Sequence, residues 1–247
     1  MTGSGAKFCA ISNPPSIILR DTIVVADMHL GFSVIGLSAS RRAIRKILIG
    51  EADAILLPLV EITPRPRRIV LLGDVKECLG YPRAVFRDQL AYFFRKLAEH
   101  FERIIIVRGN HDGRIAELLD HFLIDAVVTD MLLIRDGNVL CLHGHMRPTK
   151  DYFDRASVIL SGHIHPIDAD GRKVFVLANF AVGSEERHHK KLVILPTSNP
   201  KLSGTVIGDR SHVSRVVGRL IPIEYRDSYS LLRISLLRTN SQYCLDY

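Results

Sequence analysis

Five short apolar runs along the chain share one layout, a stretch rich in branched residues followed at once by side chains with oxygen or nitrogen donors. They are Ile23-Val24-Val25-Ala26 before Asp27-Met28-His29, Ile69-Val70-Leu71-Leu72 before Gly73-Asp74, and Ile104-Ile105-Ile106-Val107 before Gly109-Asn110-His111-Asp112. The other two are Val139-Leu140-Cys141-Leu142 before His143-Gly144-His145, and the run ending Leu160-Ser161 before Gly162-His163-Ile164-His165. Runs of this length and composition predict buried strands, so five strand ends offer donors. Between them lie helical patterns. One begins at Ser40 and carries Ile44, Ile47 and Leu48, with Pro58 limiting its extent; another spans Pro82 to Phe101 and buries Phe86, Leu90, Phe93, Phe94 and Leu97. A third, short helix is expected over Ile115 to Phe122.

Strand, helix and strand in that order predict parallel βαβ units, whose crossovers are right-handed and bring the carboxyl ends of their strands to one edge. Asp74 and Asn110 are thereby expected as neighbours. Upstream, Ser16 to Thr22 reads as one strand turning into the next through Arg20-Asp21, and Gly31 to Gly36 as a loop leaving the donors of the first run. Thr63 to Arg68 is a proline-punctuated surface connector. Downstream, Val127-Val128, Met131 to Arg135 and Asn138 to Leu142 read as strands in a meander, the last two joined by a hairpin at Asp136-Gly137. Ile167, Val174 to Leu177 and Leu192 to Leu195 continue the strands. The polar stretch Ser184 to Lys191 reads as a solvated loop. From Ser211 the pattern weakens: Arg219 to Glu224 and Tyr229 to Leu237 hold apolar residues that must pack, and Ser241 to Tyr247 has no evident role.

Composition narrows the class. The chain has 247 residues, 47% hydrophobic and 24% charged, ordinary for a globular protein, and is expected to form one domain over 1–247 with the role of 210–247 open. A net charge of +7 and a pI near 9.4 suit polyanionic partners such as nucleic acid, but dispersed surface arginine gives the same totals. Cys9, Cys78, Cys141 and Cys244 form no CxxC pair, which argues against a disulfide framework or zinc ribbon and for reduced thiols in a cytoplasm. No apolar stretch approaches the roughly 20 residues that span a bilayer, and no signal layout opens the chain.

Asp, Asn and His donors without thiolates suit manganese, iron or zinc. Two such ions with a shared carboxylate clamp a phosphoryl group and acidify water, the chemistry of phosphoester hydrolysis. Taken singly, an Asp after a strand is a turn former and a buried His a hydrogen-bonder; the force lies in all five together.

Asp27-x-His29, Gly73-Asp74, Gly109-Asn110-His111-Asp112, His143-Gly144-His145 and Gly162-His163-x-His165 resemble the ordered signature of the calcineurin-like metallophosphoesterases. Details such as Asp27-Met28-His29-Leu30-Gly31 and Gly162-His163-Ile164-His165-Pro166 look nearest to archaeal phosphoesterases related to SbcD-type DNA-repair nucleases. The resemblance implies an α/β fold, a four-layer sandwich of two mixed sheets flanked by helices. It implies two divalent ions, manganese first, with Asp27, His29 and His165 on one, Asn110, His143 and His163 on the other, and Asp74 bridging. It assigns His111 the proton donated to the leaving oxygen, with Asp112 orienting neighbours.

One position departs from that pattern. Where the nuclease branch commonly has a histidine three residues after the bridging aspartate, this chain has Glu77, whose carboxylate is expected to orient His111 and raise its pKa. His145, Arg147 and Arg114 are candidate substrate contacts, with Arg108 and Lys150 also near the ligands in sequence. The favoured function is a phosphodiesterase or nuclease acting on DNA or RNA, as a homodimer or with a DNA-processing partner. A phosphomonoesterase, a cyclic-nucleotide phosphodiesterase and a non-catalytic scaffold remain alternatives.

Overall fold

Strands and helices alternate through the first half much as the apolar pattern predicts. In the computed structural model, which describes residues 7–134, 138–183, 188–239 and 243–246, β1 (Lys7–Ser12), β2 (Pro15–Leu19) and β3 (Thr22–Ala26) form an antiparallel meander. There follow α1 (Arg41–Val60), β4 (Arg68–Leu72), α2 (Ala84–His100), β5 (Arg103–Val107), α3 (Ile115–Phe122) and β6 (Val127–Thr129), with β3 to β6 mutually parallel. Ser40 caps α1, its hydroxyl accepting from Ala43 N at 3.3 Å. Pro58 falls in the last turn, and the helix ends at Val60.

The second half contains β7 (Met131–Ile134), β8 (Val139–Leu142), α4 (Lys150–Arg155), β9 (Val158–Ser161), β10 (Pro166–Ile167), β11 (Val174–Val182) and β12 (His188–Ile194). The chain closes with β13 (Thr205–Val206), α5 (Arg210–Arg219), β14 (Tyr229–Arg238) and β15 (Tyr243–Asp246). One seven-stranded sheet has the order β15-β1-β2-β3-β4-β5-β6, and a six-stranded one the order β14-β11-β12-β9-β8-β7.

Period-two alternation assigns the layers. Ile23, Val25, Ile69, Leu71, Ile104 and Ile106 face outward onto Ile55, Leu59, Phe93, Phe94 and Leu97 of the helices. The intervening Val24, Ala26, Val70, Leu72, Ile105 and Val107 face inward and meet Val139, Cys141, Val158, Leu160, Phe175 and Val193 of the other sheet. The far face of that second sheet buries Leu140, Ile159, Leu192 and Ile194 against Phe153 of α4 and Val213 and Val217 of α5. The layers therefore run helices, sheet, sheet, helices, the architecture expected from the resemblance.

Three expectations need correction. The segment after β6 is not a simple meander: β7 and β8 are antiparallel, but β8, β9 and β12 run parallel, because α4, which no apolar period announces, carries the chain back between β8 and β9. The polar stretch 184–191 is not all loop. His188 to Lys191 begin β12, where the buried Lys190 ammonium donates to the carbonyls of Phe153 at 2.7 Å and Ala156 at 2.5 Å; residues 184–187, like the Asp136-Gly137 turn, lie outside the described residues. Tyr243 to Asp246 does have a place, as an antiparallel edge strand against β1. The 63–68 connector stays on the surface, with Arg65 donating to the last carbonyls of α2 and Arg67 to Glu102. Among the described residues no helix is long and apolar enough to cross a membrane.

Candidate metal centre

β3, β4 and β5 are parallel and in register, so Asp27, Asp74 and the Gly109-to-Asp112 turn leave the same edge of the first sheet. β8 and β9 do the same for His143 and His163 in the second sheet. The two edges meet across the inner core. Backbone conformation there is unusual: Asp27 (φ 54°), His29 (44°), Asp74 (48°), His163 (74°) and His165 (46°) are all left-handed. Each such residue costs about 1 kcal/mol or more, and strain of this kind gathers at functional sites.

The donors form two groups joined by one carboxylate. In the first, His29 Nε2 lies 3.3 Å from His165 Nε2, which is itself 3.3 Å from Asp27 Oδ1. In the second, His143 Nε2 lies 3.2 Å from His163 Nδ1 and 3.2 Å from Asn110 Oδ1. Asp74 Oδ2 stands between them, 3.5 Å from His29 Nε2 and 3.3 Å from His143 Nε2. Ring nitrogens facing each other at these distances present lone pair to lone pair unless a proton or cation sits between them. The Asp27-His29-His165 and Asp74-His143-His163 sets each bring one atom per residue within 4.8 Å of the others. Nitrogen and oxygen donors around a shared carboxylate fit two borderline or hard divalent ions.

Charge responds to this crowding. Although burial pulls the His143 ring downward, its hydrogen bond to Asp74 and the charges of Asp27 and Asp74 push its pKa up to about 9. Burial, with the His143 charge beside it, pushes His163 down to about 4. Burial alone would raise Asp74, yet His143 and the His111 amide hold it well below the usual carboxylate range. The second group thus favours a positive charge at its centre.

The loops supporting the donors pack with little slack. A Cβ on Gly109 would enter the Asp74 carboxylate and backbone nitrogen, and one on Gly162 would lie 2.5 Å from Asp27 Oδ2, so glycine is required at both. Asp112, fully buried, accepts from Gly109 N and Val75 N, both at 2.9 Å, and so fixes the turn from inside the fold. His111 N donates to Asp74 Oδ1 at 2.8 Å, and its ring Nδ1 donates to the Glu77 main-chain carbonyl at 2.5 Å. The other ring nitrogen, Nε2, is left for the site, and the ring lies edge-on to His29 at 5.0 Å.

Glu77 does not act as expected. Its carboxylate accepts from His29 Nδ1 at 2.6 Å and stays within 4.8 Å of a His111 ring nitrogen, while the hydrogen bond it makes to the His111 ring comes from its main-chain carbonyl. Arg147 is another correction: its guanidinium donates to Gly218 O at 2.7 Å and Ile221 O at 2.5 Å, an anchor for α5. Arg114 pairs with Glu117 and lies over Tyr81, while Arg108 pairs with Asp130 and Lys150 with Asp154. His145 is exposed beside the site, its ring 5.3 Å from that of His143. Cys141 is buried, which pushes its thiol up to about 12, and Cys78 bonds a main-chain carbonyl.

Several supports escape the sequence. Thr197 Oγ donates to Asp27 O at 2.6 Å, Ser198 N to Ala26 O at 2.9 Å and Asn199 Nδ2 to Met28 O at 2.9 Å, so one distant segment holds three successive carbonyls of the first donor turn. Buried Glu51 takes Gly31 N, Ser33 N and Ser33 Oγ just beyond His29. Lys76, also buried, gathers the carbonyls of Cys78, Gly80 and His111. A Glu inside the amphipathic α1 and a Lys beside Asp74 were the available signals; nothing local marks Thr197.

Residues 21–167 match the family model described as calcineurin-like phosphoesterase. Among solved structures the chain is similar to the Pseudomonas putida nuclease MPE, at 18% identity and a TM-score of 0.56 over 85% of this chain and 91% of that one. It is also similar, at 21% identity and a TM-score of 0.38, to the protein of unknown function AQ665 from Aquifex aeolicus, over 58% of this chain and 78% of that one. No curated protein matches the chain.

Proposed function

The chain belongs to the calcineurin-like phosphoesterase family, metal-dependent hydrolases of phosphoesters, and on that premise we propose that it is a two-metal phosphodiesterase that cleaves nucleic-acid strands. The observation that carries this reading is the position of Asp74 Oδ2, 3.5 Å from a ring nitrogen of one donor group and 3.3 Å from one of the other. Asp27, His29 and His165 would hold one ion and Asn110, His143 and His163 the second. Two divalent cations, manganese first, supply Lewis acidity, acidification of water and neutralisation of phosphoryl charge when bound.

The remaining work falls to this chain's own residues. Main-chain bonds fix His111, with Nδ1 on the Glu77 carbonyl, so its imidazolium delivers the Nε2 proton to the departing oxygen. Its positive charge also offsets the charge that builds on that oxygen. Asp112 and Lys76 keep the His111 turn in place. A net charge of +7 supports a polyanionic substrate, as does the likeness to a nuclease over most of both chains. Cleavage within DNA-repair chemistry, as in SbcD-related enzymes, accords with both.

The test is hydrolysis by manganese-loaded protein of DNA and RNA oligonucleotides, bis(p-nitrophenyl) phosphate and p-nitrophenyl phosphate. Oligonucleotides and the diester are cleaved; Asp74→Ala abolishes turnover and His111→Ala lowers it by roughly a hundredfold or more. Hydrolysis of the monoester alone, or of nothing by metal-loaded protein, overturns the reading.

A further inference from the structure

His163 belongs to two places at once. One side of its loop contributes to the second donor group; the other lines a cleft of about 170 Å3 whose opposite wall is the last turn of α5. Ile164, Val216 and Leu220 give that cleft an apolar lining, while His145 and Arg219 bring it imidazole and guanidinium groups. Sites that enclose a whole small molecule occupy about 300–1,000 Å3. This cleft is smaller, a size for one unit of a longer molecule rather than for a whole ligand.

The wall is built rather than incidental. Arg147, in the loop after His143, also lines the cleft and bonds the carbonyls of Gly218 and Ile221 on either side of Arg219. Arg147 thus already takes a last-turn carbonyl of α5, Gly218 O, the kind of contact a terminal arginine would otherwise make. Other basic side chains near the ligands are spoken for: Arg108 by Asp130, Arg114 by Glu117 and Lys150 by Asp154. Arg219 is exposed and has no hydrogen-bond or ion-pair partner among the described residues. The helix that carries it lies beyond residue 167, outside the region matched by the family model.

We propose that this cleft is a substrate subsite, holding the nucleoside that flanks the scissile phosphate against Ile164, Val216 and Leu220 with the next phosphate on Arg219. An apolar floor beside an imidazole takes a planar base by stacking and contact, and a free guanidinium takes a phosphate with two parallel hydrogen bonds. Arg147 is the positioning residue that sets the height of the wall. The assignment rests on the nucleic-acid reading above and adds to it where the strand lies.

Three dinucleotides test it with the manganese-loaded full chain: TpT, pTpT and TpTp. Wild type shows a KM roughly tenfold lower for one phosphate-bearing dinucleotide than for TpT. Arg219→Ala brings the two together, and Arg219→Lys restores part of the difference; Arg219 is exposed, so the variants keep the fold. Equal KM values for all three dinucleotides in wild type, or a preference that survives in Arg219→Ala, overturn the subsite while leaving the nuclease reading standing. If p-nitrophenyl phosphate is hydrolysed and no dinucleotide or oligonucleotide is, the nuclease reading itself fails and takes the subsite with it.

Discussion

Replacing Glu77 separates two jobs that this residue performs with different atoms. Its carboxylate holds His29 Nδ1 at 2.6 Å, while its main-chain carbonyl holds His111 Nδ1 at 2.5 Å. A carboxylate behind a ligating imidazole fixes the tautomer, aims the free nitrogen and makes it a better donor to the metal. The His29 side chain is 6% exposed and that of Glu77 25%, so water replaces the lost partner only in part. Loss of such a support typically costs tenfold to a hundredfold in metal affinity, or about 1.4–2.7 kcal/mol. Calorimetric titration of manganese into chelator-stripped protein should therefore show a weakening of that size for Glu77→Ala. Glu77→Gln, which keeps a neutral acceptor, should lose less. Because both variants keep the main-chain carbonyl that holds His111, hydrolysis at saturating manganese falls by less than affinity does. The reasoning is refuted if both variants bind manganese as wild type does and instead lose turnover to the extent that His111→Ala does.

Two further outcomes follow from buried groups. Glu51→Leu removes the acceptor for Gly31 N, Ser33 N, Gln89 Nε2 and Asn199 Nδ2; with about 1–3 kcal/mol for each donor left unmade, urea unfolding should show a loss of more than about 3 kcal/mol, and an unchanged midpoint would refute the clamp. For metal-free protein, His143 has its pKa pushed up to about 9 from an unfolded value near 6.5, so its contribution to stability is full below about pH 6.5 and is lost as pH rises through about 9. Metal requires the neutral ring, so Tm measured between about pH 6 and 9 should drift down with chelator while the added stabilisation by manganese grows; parallel curves would contradict the assignment.

The donors were legible because the fold places them where the sequence does, at the ends of apolar strands. Asp27, Asp74, Asn110, His143 and His163 each follow their run within a few residues, and parallel pairing brings those ends to one edge. What sequence hides is which atom of a residue acts. Glu77 was readable as a support for His111, but the support comes from its main-chain carbonyl, while its carboxylate bonds His29. Arg147 resembled a phosphate contact because it follows His145; its partners lie on α5, far along the chain. That helix does carry a readable mark, Asp209 as cap and Val213, Val216 and Val217 on one face, but its short length and high charge dilute the apolar period. Thr197 and Asn199 act through the carbonyls of Asp27 and Met28, contacts that depend on tertiary closure alone.

The central claim is that Asp74 joins two metal sites into one centre. Metal content per chain, measured by elemental analysis after equilibration with manganese and removal of free ion, tests it most directly. Two ions per wild-type chain and a loss from both sites in Asp74→Ala are the predicted result; a single ion in wild type, or a full complement in Asp74→Ala, would contradict it.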